Sequence, residues 1–145
     1  MINSRDSNQP NNLLQLLRLE VIFTNTLVKY SLPILWMAII FYLSSIPDLS
    51  LKGSLAPYDF VLRKIAHILE YALLSFLWRM ANTSPVIASE ISAGNAIADE
   101  IHQMYVPGRH GALTDIGIDS MGILFGLMAY YFIYSRVFKI SESEN

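Results

Sequence analysis

Cysteine is absent from the 145 residues, which removes disulfides, thiolate metal sites and cysteine nucleophiles and is compatible with either side of a membrane. Charge is scarce as well. Only 15% of residues are charged against 53% hydrophobic, and the charges avoid several long stretches, a combination that favours a membrane protein over a soluble globule. There is no basic run and no aromatic ladder of the kind nucleic-acid binding needs, and a net charge of −2 points to no partner. Residues 1–12 lack an apolar core followed by a small-residue cleavage site, so no removable signal peptide is expected and the first span would serve as an uncleaved signal. No H-x-x-x-H pair, no EF-hand loop and no internal repeat of the transporter kind is visible. The length suits one domain.

What is present is helical. Residues 1–12, with Asn8, Pro10, Asn11 and Asn12, read as a disordered cytoplasmic tail. Leu13 to Phe23, broken by Gln15, Arg18 and Glu20, fits either an interfacial helix or an extension of the next helix, the interfacial one being preferred. The first span is expected over Leu27 to Ser45, with Pro33 placed early and Trp36, Phe41 and Tyr42 as aromatic anchors. Asp59 to Ala81 forms the second, with Asp59 as its N-cap. After the turn Asn82-Thr83-Ser84-Pro85, with Ser84 as N-cap, the third runs from Val86 to Tyr105. It carries Glu90, Asn95, Asp99, Glu100, His102 and Gln103, so hydropathy alone would miss it. Its small residues suit a helix shielded inside a bundle. Thr114 to Phe138 is the last. The expected fold is an all-α membrane protein, a four-helix transmembrane bundle over residues 27–139, with 1–26 as tail and interfacial helix and 140–145 as a second tail.

Four spans put the start of the second helix, the end of the third and the start of the fourth at one membrane face. His67, Glu70, Tyr71, Asp99, Glu100, Gln103, Asp115 and Asp119 then meet there, joined by the Pro107-Gly108-Arg109 turn. Apart from Arg63, Lys64 and Arg109, the basic residues fall on the other side except Lys52. The positive-inside rule therefore places both termini in the cytoplasm and this cluster at the outer face of the cell membrane.

Arg63-Lys64-x-x-His67-x-x-Glu70-Tyr71, then Asp99-Glu100-x-x-Gln103-x-x-x-Pro107-Gly108-Arg109, then Asp115-x-x-x-Asp119-x-x-Gly122-x-x-x-Gly126, with Leu-Ser-Ser-Ile-Pro ending the first span, resemble the VanZ-like family of small bacterial membrane proteins. The resemblance covers about residues 30–135. It implies a cell-envelope setting, and the family's founding member is associated with low-level teicoplanin resistance. It implies positions and no reaction.

On the residues themselves, Arg63, Lys64 and Arg109 beside a helix N-terminus suit an anion, or else they snorkel and pair with Glu70, Asp99 or Asp115. His67, with Glu70, Asp99 or Glu100 as acidic partners, is the candidate proton-transfer group, or a hydrogen-bonded intramembrane histidine. Tyr71 and Gln103 are expected to orient neighbours, and Asp115 and Asp119 to complete the binding set, unless Asp115 simply caps its helix. No cofactor and no metal is assigned, although His67, Asp99, Glu100, Asp115 and Asp119 together could hold a divalent ion. His102, His110 and Glu90 are read as surface groups. Gly122-x-x-x-Gly126 is expected to serve internal packing.

Two functions from different classes stand. One is an enzyme or binding protein taking an anionic lipid-linked or peptidoglycan-related molecule from surrounding membrane lipids. The other is a non-catalytic structural or interaction protein whose charges form a buried network.

Overall fold

A computed structural model describes residues 26–47, 53–109 and 111–143. Over these the chain forms α1 (Thr26–Ser44), a 3-10 turn (Gly53–Tyr58), α2 (Asp59–Met80), α3 (Pro85–Gln103) and α4 (Leu113–Ser143), with no strand among the described residues. The four expected helices are all there, each starting within one or two residues of its expected position. The tail, the Leu13–Phe23 stretch, Lys52 and His110 lie outside the described residues. At the other end α4 runs on to Ser143, because no glycine or proline follows Phe138 to stop it.

Local sequence explains the helix ends. Beyond Tyr30 α1 carries no charge, and it stops where the hydroxyls of Ser44 and Ser45 both donate to the Phe41 carbonyl, at 2.9 and 2.7 Å, just before Pro47. Pro33, expected early in the span where a missing N–H is tolerable, stands inside α1 beyond its first turn. There it removes the bond to the carbonyl four residues back, and its ring is fully buried against the neighbouring helices. α2 ends in a Schellman motif: Asn82 takes φ 64°, its N–H donates to the Arg79 carbonyl at 2.9 Å, and the Thr83 N–H donates to that of Trp78 at 3.4 Å. Ser84 then caps α3 as expected, accepting from the Ile87 N–H at 3.2 Å, with Pro85 as first helical residue.

Asp59 is not a cap. Tyr58 takes that place without a side-chain bond, and the Asp59 carboxylate instead pairs one turn along with Arg63.

Contacts set the helix directions. Lys64 meets Asp115 and His67 meets Asp119, while Ala72 lies against Gly126, so residue numbers rise together and α2 and α4 run side by side in parallel. The Trp36 indole donates to the Glu70 carbonyl at 2.9 Å and Tyr30 lies 6.1 Å from Trp78, which makes α1 antiparallel to α2. Tyr71 meets Asn95 while Arg63 shares a cavity wall with Gln103, so α3 is antiparallel to α2 too. The end of α1, the start of α2, the end of α3 and the start of α4 therefore gather at one end of the bundle.

Two glycines allow α2 and α4 to approach. A Cβ on Gly122 would meet the Ile68 backbone, and one on Gly126 the Ala72 carbonyl and the Ser75 hydroxyl. Ser75 donates across the seam to the Ile123 carbonyl at 3.0 Å. The pair thus serves internal packing.

The molecule is apolar outside and polar within. Leu35, Phe41, Leu124, Phe125, Met128 and Phe132 are exposed, whereas Asp99, Glu100, Gln103, Asp115 and Asp119 are buried. In water this arrangement would be costly on both counts; against hydrocarbon it is the stable one. Within α4 the 24-residue segment Leu113–Arg136 contains an 18-residue stretch of mean hydropathy 1.6 that is mostly outward-facing. At roughly 1.5 Å per residue it exceeds the ~30 Å hydrocarbon core. It is the one helix among the described residues long and apolar enough to cross a membrane by itself, the apolar part of α1 being the shorter Val28–Ser44.

Candidate functional site

Nine of the eleven residues singled out in the sequence lie toward the shared end of the bundle, while Glu70 and Tyr71 stand halfway along α2. Helical periodicity turns Lys64, His67 and Tyr71 of α2 toward α4 and α3, and each finds a partner there. Lys64 pairs with Asp115, His67 Nδ1 lies 2.9 Å from Asp119 Oδ1, and the Asn95 amide donates to the Tyr71 hydroxyl at 3.4 Å. Within α3, Gln103 donates to Asp99 Oδ2 at 2.7 Å. Glu100 Oε2 accepts the Ala112 N–H at 2.7 Å and so ties α3 to the loop entering α4. Gly111 is needed for that closure, since any Cβ there would strike the Glu100 carbonyl.

Arg109 is placed by a type II turn. Pro107 and Gly108, the latter at φ 78°, occupy its central positions, and the Arg109 N–H donates to the Val106 carbonyl at 3.1 Å. This aims the side chain back at α1, where Nη2 donates to the Leu43 carbonyl at 2.7 Å and Nε to the Ile46 carbonyl at 3.1 Å. Arg109 therefore closes the end of α1, supplementing the Ile46 N–H on the Leu43 carbonyl and serving the Ile46 carbonyl just beyond the helix. Burial first, and then the like charge of Arg63, lower its guanidinium from the ordinary arginine value; it remains protonated.

Two adjoining cavities open at this end. One, of about 280 Å³, has an apolar wall of Ile40, Leu43, Leu62 and Ala66 facing Arg63, His67, Glu70, Asp99, Gln103 and Arg109. The other, of about 460 Å³, is more polar and includes Lys64, Ala112, Thr114 and Asp115. Arg63, His67, Gln103 and Arg109 line both. Tyr71, Glu100 and Asp119 line neither; they stand behind the walls, fully or almost fully buried.

Three buried carboxylates are bonded at one oxygen only. Asp99 Oδ1, Glu100 Oε1 and Asp119 Oδ2 have no hydrogen-bond partner. Among the described residues six acids gather here, Asp59, Glu70, Asp99, Glu100, Asp115 and Asp119, against three permanent cations, Arg63, Lys64 and Arg109, so that carboxylates outnumber cations among them. Asp115 does not act as a simple cap: it stands in the first turn of α4, with Oδ1 taken by Lys64 and by the Thr114 hydroxyl.

Several participants escape a sequence reading. Asn95 lies four and eight residues before Asp99 and Gln103, a spacing that puts the three on one helix face. Asp59 is likewise four before Arg63. His102, expected at the surface, is half-buried and stacked on Phe41 with centroids 4.2 Å apart, its Nε2 lying 2.9 Å from the Ser45 hydroxyl. No local pattern announces that contact, because 57 residues separate its partners. Glu90 is exposed, as expected.

A family model described as VanZ/LLP1 matches residues 3–134. No curated protein and no solved structure matches the chain. With most of its length matched, and with an apolar helix able to span a bilayer, this chain is a membrane protein that belongs to the VanZ/LLP1 family.

Proposed function

We propose that this is a multi-pass cell-envelope protein, with both termini cytoplasmic, whose paired cavities lie beneath the outer membrane surface and take an anionic lipid-linked molecule. Membership of the VanZ/LLP1 family fits a cell-envelope protein. The observation that carries the rest is the first cavity's division into an aliphatic wall and an ionic one, a lining suited to an amphiphile with a charged head. Arg109 leaves Nη1 free after bonding two carbonyls, and Arg63 stands at the mouth, half-exposed. Together they offer planar donors to a phosphate or carboxylate. His67, held at Nδ1 by Asp119, presents Nε2 as a proton donor or acceptor for the bound head group.

Native mass spectrometry of the protein in mild detergent tests this. Wild type is expected to retain an anionic lipid, and Arg63→Gln to lose most of it while melting at the same temperature. Equal retention by the two, or none by wild type, would remove the binding proposal. In cells, His67→Ala should change an envelope phenotype, glycopeptide susceptibility included, at unchanged expression.

The second reading, a non-catalytic helix-packing network, is favoured by the ion pairs of Lys64 with Asp115 and Arg63 with Asp59. It expects Lys64→Met with Asp115→Leu to fold as well as wild type and to keep every cellular phenotype.

A further inference from the structure

We infer that the chain binds one divalent metal ion through His67, Glu100 and Asp115; this leaves the anion-binding role of Arg63 and Arg109 untouched, but with Nε2 on the ion His67 no longer gives or takes a proton at the head group. One donor atom from each of these residues lies within 4.8 Å of the others. Donors about 2.0–2.2 Å from an ion sit roughly 3 to 4.4 Å apart, so side-chain rotation of a few tenths of an ångström closes the set.

Each residue is also held at one atom and left open at another. His67 is bonded through Nδ1 to Asp119, which leaves Nε2. Glu100 is fixed through Oε2 to the Ala112 N–H, while Oε1 is buried without a partner. The bonds to Asp115 fall on Oδ1, which leaves Oδ2. This is the outer-shell arrangement that orients metal ligands, a carboxylate behind a histidine and a backbone N–H behind a glutamate.

Glu100 is the independent witness. It is only 4% exposed, and a carboxylate oxygen buried without a donor is costly unless something positive reaches it. Lys64 is engaged by Asp115, and among the described residues six acids stand here against three cations. An ion has a way in, because His67 and Asp115 line the larger cavity. One imidazole nitrogen with two carboxylates suits Zn²⁺ or Mn²⁺ better than the all-oxygen cages of Mg²⁺ or Ca²⁺.

The test uses the full chain in detergent, stripped with EDTA and titrated with Zn²⁺ or Mn²⁺ by calorimetry, with melting temperature followed in parallel. Wild type should bind one equivalent of one of these ions and gain thermal stability as its concentration rises. Glu100→Gln and His67→Ala should bind at least about tenfold more weakly, Asp119→Asn roughly 10–100-fold more weakly, and Glu90→Gln as wild type does. No uptake of either ion by stripped wild type, or wild-type affinity in Glu100→Gln, would overturn the site. Should Glu100→Gln fail to fold, the visible spectrum of bound Co²⁺ decides. It must change in Asp115→Asn, a near-isosteric change in the wall of the larger cavity, and an unchanged spectrum refutes the ligand set.

Discussion

Removing the Arg109 side chain should cost stability before it costs function. Its guanidinium bonds the carbonyls of Leu43, in the last turn of α1, and of Ile46, just beyond it, at 2.7 and 3.1 Å; the Leu43 carbonyl otherwise has only the Ile46 N–H, at 3.3 Å. Hydrogen bonds from charged donors contribute about 1.5–3 kcal/mol each when buried. Because the side chain is half-buried, water partly replaces what is lost, so Arg109→Ala should destabilise by about 2–4 kcal/mol in total. For a chain of this size that is a fall of roughly 6–15 °C in Tm, readable by thermal melting in detergent. Arg109→Lys should recover less than half, since a single ammonium cannot serve two carbonyls with the planar fork of a guanidinium. An Arg109→Ala protein melting within about 1 °C of wild type would refute the view that this residue closes α1. For the same reason Arg63, at the edge of the site, is the cleaner variant for testing ligand binding.

Other outcomes follow from single contacts. Gly126→Ala forces a Cβ onto the Ala72 carbonyl, which is backbone and cannot swing aside, and should cost about 1–3 kcal/mol in a melt. Gly94→Ala meets nothing within 4 Å and should leave stability unchanged or raise it by up to about 1 kcal/mol; a matching loss in both would show that the α2–α4 seam is not where the glycine matters. Ser84→Ala removes the cap on α3 and should lower stability by about 1 kcal/mol, with Ser84→Asp close to wild type. Because the chain has no cysteine, single cysteines report topology cleanly. Replacing Tyr58 or Tyr105, both exposed, should give labelling from one compartment, and replacing Asn82, also exposed, from the other. Labelling of the first two from opposite sides would break the four-span proposal.

Helix positions were legible from the chain because their signals are local. The uncharged run of α1, the Ser84-Pro85 start of α3 and the Pro107-Gly108 turn are each complete within a few neighbouring residues. Which end of the bundle holds the charges was legible too, since successive helices that alternate in direction bring the start of α2, the end of α3 and the start of α4 together. Pairing was legible only in part. Lys64 meets Asp115, one of the acids expected for it, but Asp59 looked like a cap and is Arg63's partner, and His102 looked superficial and stacks on Phe41.

What the linear order of residues determined by itself is an all-helical chain with its ionisable groups concentrated at one end of an apolar body, because helix propensity, caps and hydropathy act over one or two turns. What only the tertiary structure decided is which atoms are satisfied and which are left over: Arg109 turned back onto α1, and His67, Glu100 and Asp115 brought from three different helices to within 4.8 Å. No spacing along the chain encodes that meeting. It depends on how closely α2 and α4 pack at Gly122 and Gly126, and on where the loop through Gly111 returns to Glu100.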